Sequence, residues 1–299
     1  MKKVGLIGLG AMGLGMAGSL RKAGFDLAVF DIRLEVAEQF AKDGGIACKT
    51  LADLAARSDI VVSVVVNAAQ TEEILFGSST SSGIAAALKS GSTFVMCSTV
   101  DPNISIEFEK RLAEKNILYV DAPISGGSAK AASGEMTMMT AATSAAYDKA
   151  NDVLDAMAKT VYRLGDKAGL GSTVKIINQL LAGVHIAAAA EAMALGMREG
   201  VDAATLYEVI THSAGNSWMF ENRMAQVVAG NYEPLSAVDI FVKDLGIVLD
   251  TARASKFPLP LSSTAHQMFM QASTAGYAKE ADGAVIKIFP GITLPKAVQ

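Results

Sequence analysis

Lys175 stands in the stretch Gly169-Leu170-Gly171-Ser172-Thr173-Val174-Lys175-Ile176-Ile177-Asn178-Gln179. Gly171, Lys175 and Asn178 follow at intervals of four and three, with Gln179 next, and on a helix the first three share a face. A glycine there opens room for a small molecule, and a lysine and two amides project into it. Val174, Ile176 and Ile177 surround the lysine with apolar chain. Desolvation lowers a lysine's pKa from about 10.4 and makes the amine a usable base. On the residues alone, a solvated surface lysine is equally open. Other candidate bases are His185, further along the same stretch, and His212 and His266, outside any recognisable motif.

A second stretch, Asp121-Ala122-Pro123-Ile124-Ser125-Gly126-Gly127-Ser128, ends a strand in a hydroxyl and two glycines. The hydroxyl of Ser125 and the backbone N–H groups of Gly126 and Gly127 form a nest that suits a carboxylate. The same residues also make an ordinary loop. A third stretch, Phe241-Val242-Lys243-Asp244-Leu245, carries a lysine beside an acid and by itself reads as a surface pair.

A fourth begins near the N-terminus. Lys3-Val4-Gly5-Leu6-Ile7 reads as a buried strand, followed by Gly8-Leu9-Gly10-Ala11-Met12-Gly13 and a helix over Met12–Lys22. A second strand then ends in Asp31. Gly8 allows the tight turn, Gly10 lets backbone approach phosphate, and Gly13 lets the helix pack on the strand. With Ala11 and Met12 these residues offer a helix N-terminus, with its unpaired N–H groups, to a pyrophosphate. Asp31 lies about 20 residues on, where an acid bonds the ribose hydroxyl. The pattern predicts a dinucleotide site. Asp31 repels a 2′-phosphate and favours NAD over NADP, a preference that Arg33 tempers.

These residues need a frame. Strands are predicted at 3–7, 26–30, 59–65, 92–97, 117–121, 136–141 and 161–163, with helical segments near 12–22, 34–42, 51–56, 70–76, 103–115 and 144–158. Such alternation predicts a mostly parallel, doubly wound sheet with ligands at the carboxyl ends of its strands. Those ends include Asn67, Thr99 and Asp121. After residue 164 strand signals largely stop. A long helix over 168–198 opens an all-helical region with further helices near 202–212, 217–229, 236–255, 262–275 and 281–288. The expected domains are therefore 1–164, binding a dinucleotide, and 165–299, for substrate and oligomerisation.

Composition narrows the function. The 299 residues are 51% hydrophobic with a net charge of −4. No basic run appears, which argues against nucleic acid as a partner. Cys48 and Cys97 are isolated in apolar settings and read as buried thiols of a reducing compartment, with no disulfide or metal framework. No signal peptide and no uninterrupted apolar run of about 18 residues is seen, so no membrane association and a cytoplasmic location are expected. The alanine-rich helix and the apolar helical half suggest a homo-oligomer, a dimer or tetramer.

Four stretches, in this order, resemble the motifs of the β-hydroxyacid dehydrogenases. They are the turn at 8–16 with Met12 and Met16, Asp121–Gly127 with Gly134 and Met138, Gly169-x-Gly171-x-x-x-Lys175-x-x-Asn178, and Lys243-Asp244-Leu245. The resemblance spans the chain. It implies a Rossmann-type domain joined through a long helix to an all-α domain, and NAD-dependent oxidation of a small hydroxy acid. It further implies Lys175 as acid/base, Ser125, Gly126 and Gly127 on the substrate carboxylate, and Asn178 positioning the substrate. Lys243 would lie near the nicotinamide, with Asn67 and Thr99 flanking the cofactor. Many members have a second asparagine where Gln179 stands, and a glycine where Lys130 stands. "INQLLAGVHIAAAAEAMALG" and "SAGNSWMFENR" look most like the branch that oxidises L-threonate at C2. There Gln179, with His212, Asn216 and Ser217, would meet extra hydroxyls. Within the family 3-hydroxyisobutyrate and tartronate semialdehyde are the rival substrates. Some relatives are non-catalytic binding modules, but the retained Lys175 and the acidic charge argue against that reading.

Overall fold

Val4, Leu6 and Ile7 are buried, as expected of a strand covered on both faces. They belong to the first of six parallel strands. The computed structural model describes residues 2–79 and 81–297, and the chain divides into two units, Met1–Lys175 and Ile176–Gln299. In chain order the first unit begins β1 (Lys3–Ile7), α1 (Gly13–Lys22), β2 (Asp26–Phe30), α2 (Leu34–Ala41), β3 (Ile46–Ala47) and α3 (Leu51–Ala56). It continues β4 (Ile60–Ser63), α4 (Ala68–Phe76), β5 (Thr93–Met96), α5 (Pro102–Ala113) and β6 (Leu118–Asp121). These strands pair in the order β3-β2-β1-β4-β5-β6, all parallel.

The strand signals at 136–141 and 161–163 do not extend this sheet. They form a second one, built of β7 (Ile124–Ser125), β8 (Met136–Thr140) and β9 (Ala158–Arg163), in the order β7-β8-β9. β7 and β8 are antiparallel, β8 and β9 parallel. The chain leaves β6 at Pro123, which lacks the N–H that a ladder needs. One antiparallel bridge, Asp121 to Ala141, joins the ends of β6 and β8. α6 (Gly127–Ser133) and α7 (Ser144–Met157) complete this part. Only Ala131 of α6 is buried, so the helix carries no apolar periodicity for the sequence to reveal.

α8 (Leu170–Arg198) runs through 29 residues and passes from the first unit into the second. By length and composition it could cross a membrane. Its C-terminal half instead supplies Ile186, Ala187, Ala190, Met193 and Ala194 to the core of the second unit. There they meet α9 (Ala203–Thr211), α10 (Trp218–Val228), α11 (Val238–Ala254) and α12 (Pro260–Ala272). Polar residues start these helices where the sequence offers them. Asp202 accepts the N–H of Thr205, and Ser217 that of Phe220, each an N-cap that satisfies an orphan donor.

Candidate functional site

The glycine turn is held from three sides. Gly8 donates its N–H to the carbonyl of Phe30 at 2.9 Å. At Gly13 a side-chain carbon would stand 1.8 Å from the Gly8 carbonyl oxygen, so only glycine lets α1 close onto the end of β1. Asp31, just past β2, accepts the Leu9 N–H at 2.7 Å, the Arg33 N–H at 2.9 Å and Arg33 Nε at 3.1 Å. Burial pushes the Asp31 carboxyl up. The hydrogen bonds from the Arg33 side chain and amide and from the Leu9 amide outweigh it, so the group sits below the ordinary carboxylate value.

A dinucleotide fits what the turn leaves open. A side-chain carbon on Gly10 would meet no atom within 4 Å among the described residues. Met12, at the N-cap of α1, makes no side-chain cap, and the first N–H groups of a helix have no partner within it. Ala11 lies between them. Open space beside backbone donors suits a pyrophosphate, and an anchored carboxylate at the next strand suits a ribose.

Because the six strands are parallel, the ends of β4, β5 and β6 lie on the same edge as this turn. Asn67 follows β4 and caps α4 by accepting the Gln70 N–H at 2.9 Å. Thr99 is half-buried after β5. Its neighbour Ser98 donates to the Val65 carbonyl at 2.8 Å and meets the Thr71 hydroxyl at 3.0 Å. The sequence reading missed this stitch between the two strand ends.

Ser125 is the last residue of β7 and pairs with Thr137. Gly126 and Gly127 follow with φ of 135° and 76°, left-handed values that favour glycine. α6 then packs backbone to backbone on α1. A side-chain carbon on Gly15 would lie 2.6 Å from the Ala132 nitrogen, and Ser19 donates to the Ala131 carbonyl at 3.3 Å. The serine-glycine loop and the dinucleotide turn thus each adjoin one of two helices in direct contact.

Lys175 is buried, with 7% of its surface exposed. Of its three apolar neighbours, Ile176 is buried with it. Val174 and Ile177 are 40% and 51% exposed, because adjacent helical residues point elsewhere. Lys175 shares its buried face with Gly171, Ser172 and Gln179. Gly171 does not open a substrate space. A side-chain carbon there would lie 2.5 Å from the Met139 carbonyl oxygen and 3.1 Å from Asp121 Oδ2. The glycine lets the first turn of α8 seat on the ends of β6 and β8. Asp121, fully buried, accepts the Gly169 N–H at 2.8 Å, the Ser172 N–H at 2.9 Å and the Ser172 hydroxyl at 2.7 Å. Burial pushes its carboxyl up, and these bonds oppose the rise.

In the second unit Asn178 Nδ2 donates to Gln179 Oε1 at 2.9 Å, and Gln179 Nε2 donates to Asp244 Oδ2 at 2.5 Å. Lys243 Nζ reaches Asp244 Oδ1 at 2.5 Å. The buried Asp244 therefore ties the lysine of α11 to the two amides of α8. Among the histidines, His266 Nε2 lies 3.0 Å from the Val242 carbonyl. His212 is exposed, with Nδ1 2.8 Å from the Glu208 carbonyl.

Comparison with known proteins agrees with this layout. Residues 3–165 match the NAD binding domain of 6-phosphogluconate dehydrogenase, and residues 169–289 match the NAD-binding region of NADP-dependent 3-hydroxyisobutyrate dehydrogenase. The chain belongs to the β-hydroxyacid dehydrogenase family. It is similar to an L-threonate dehydrogenase of Cupriavidus necator, 62% identical over 98% of each chain. It is also similar to an L-threonate dehydrogenase of Escherichia coli K12, 51% identical over 98% of this chain and 97% of the relative. A crystal structure described as 3-hydroxyisobutyrate dehydrogenase from Salmonella typhimurium superposes with a TM-score of 0.90 at 51% identity, over 97% of this chain and 100% of that one. This β-hydroxyacid dehydrogenase is thus an NAD-binding oxidoreductase of hydroxy acids, in the threonate branch of its family.

Proposed function

We propose that the dehydrogenase oxidises L-threonate at C2 with NAD, using Lys175 as general acid/base. One observation carries the reading: identity of 62% with an L-threonate dehydrogenase extends over both units. Ser125 and the N–H groups of Gly126 and Gly127 bind the acid group and fix which carbon is presented for oxidation. Lys175, as the amine, takes the proton of the C2 hydroxyl. The nicotinamide, when bound, supplies the hydride acceptor. Gly8, Gly10, Ala11, Met12, Gly13 and Asp31 hold the cofactor, with Asn67, Thr99 and Lys243 contributing beside it. Asn178 and Gln179 meet substrate hydroxyls, their amides oriented by the link to Asp244. In this reading the first unit serves the dinucleotide and the helical unit serves substrate and assembly.

The protein is proposed to be cytoplasmic and homo-oligomeric, a dimer or tetramer, without nucleic-acid or membrane partners. The exposed apolar residues Leu170, Val174, Ile177 and Leu181 recur every three or four positions along α8, a stripe that a second copy would cover. Light scattering on the purified protein gives the copy number.

The test is a dehydrogenase assay with NAD and NADP against L-threonate, 3-hydroxyisobutyrate, tartronate semialdehyde (run in the reducing direction) and related acids. The highest kcat/KM is expected for L-threonate with NAD. Preference for 3-hydroxyisobutyrate or tartronate semialdehyde would replace the substrate but keep the reaction class.

A further inference from the structure

Asp121 carries no exposed surface, and a buried carboxylate is costly unless hydrogen-bonded. Three of its donors, the Gly169 N–H, the Ser172 N–H and the Ser172 hydroxyl, come from the start of α8 and its preceding turn, beside a further bond from the Ser105 side chain of α5. The amides at a helix start lack helical partners, and an acid there faces the positive end of the helix dipole. Gly171 brings the backbone of this turn within reach, since any side chain would strike Met139 and Asp121. Lys175 follows three residues after Ser172, on the same buried face. In the other direction along the chain, Ser125 follows Asp121 by only four residues. One carboxylate therefore fastens the helix that carries Lys175 to the strand end that leads into the serine-glycine loop. All of these residues belong to the first unit.

We propose that Asp121, acting through Ser172, is a positioning residue for the oxidation. It sets the placement of Lys175 relative to the carboxylate loop, and this rests on the reading of Lys175 as acid/base. A base must come within about 3 Å of the hydroxyl oxygen it deprotonates, and a displacement of about 1 Å costs on the order of 100-fold in rate. Loosening the fastening therefore slows the chemical step more than it weakens binding.

The experiment uses the full-length protein with Ser172→Ala, the mildest change, and Asp121→Asn, which alters the acceptor itself. For each, kcat and KM are measured with L-threonate, together with the NAD dissociation constant and the deuterium isotope effect with substrate labelled at C2. The account expects kcat to fall by about 10- to 100-fold in Ser172→Ala, and further in Asp121→Asn. The NAD dissociation constant stays within about twofold, KM moves far less than kcat, and the isotope effect rises as chemistry becomes limiting. Wild-type kcat in Ser172→Ala overturns the proposal, and so does a loss of turnover matched by an equal loss of NAD binding, which marks a structural role. Lys175→Ala, assayed alongside, separates the two readings. If it is inactive while Ser172→Ala turns over normally, only the positioning role fails. If it turns over normally, the assignment of Lys175 itself fails.

Discussion

Asp31 accepts the backbone N–H of Leu9 at 2.7 Å, so the acid at the end of β2 holds in place the glycine turn at the end of β1. The carboxylate thus shapes the turn as well as offering a partner for a ribose. Asp31→Ala is expected to weaken NAD binding and narrow its advantage over NADP. Arg33, bonded to the same carboxylate, partly neutralises it. Arg33→Ala is expected to widen the preference, because an uncompensated Asp31 repels a 2′-phosphate more strongly. Measured kcat/KM ratios for the two cofactors check both signs. A wild-type preference for NADP would refute the role given to Asp31.

The same contact has a pH consequence. The carboxyl of Asp31 titrates below its ordinary value of 3.8 in the folded protein. Its contribution to stability and to the turn is therefore complete above about pH 4 and is lost only as the pH falls through the lower folded value. NAD affinity measured by titration should show no Asp31-dependent change between pH 7 and pH 5. A loss in that interval, absent from Asp31→Ala, would contradict the anchoring.

Two glycines of the turn separate folding from binding. Gly10→Ala adds a methyl where no described atom lies within 4 Å, so Tm should hold while NAD affinity drops at least tenfold, on the order of 1.4 kcal/mol. Gly13→Ala forces a carbon onto the Gly8 carbonyl and should cost about 1–3 kcal/mol of stability as well as the cofactor. Thermal melts with and without NAD distinguish the two. A Gly10→Ala protein with normal NAD affinity would place the pyrophosphate elsewhere.

Ser125 stands at the start of the proposed carboxylate loop. Ser125→Ala should raise KM for the hydroxy acid by about 10-fold or more, the cost of a hydrogen bond to a charged group, and leave NAD affinity unchanged. Unchanged KM would remove the serine from the substrate.

What was legible in the sequence was local. The turn, its helix and Asp31 lie within one βαβ span, and alternating strands and helices exposed the parallel sheet. The contacts that assemble the site are distant. Asp121 and Ser172 are 51 residues apart, and Gln179 and Asp244 are 65 apart, so neither pair leaves a periodic trace. The burial of Lys175 stays open in the sequence, because of its three apolar neighbours only Ile176 is buried while Val174 and Ile177 are exposed, and the residues one turn behind it also cover its face. By its spacing Gly171 reads as room for a substrate, whereas in the fold it makes room for Asp121 and Met139. α6 leaves no signal in the sequence because a seven-residue run of glycine, serine, alanine and one lysine shows no apolar stripe.

The central claim is that Lys175 moves the hydroxyl proton, and the most direct measurement is turnover of Lys175→Ala with L-threonate and NAD. General base catalysis contributes typically 10²–10⁴-fold, so kcat should fall by at least about 100-fold while the NAD dissociation constant stays near that of the wild type. Lys175→Arg should fail as well, since a guanidinium does not give up its proton near neutral pH. Near-normal turnover in Lys175→Ala would contradict the account and return the histidines to consideration.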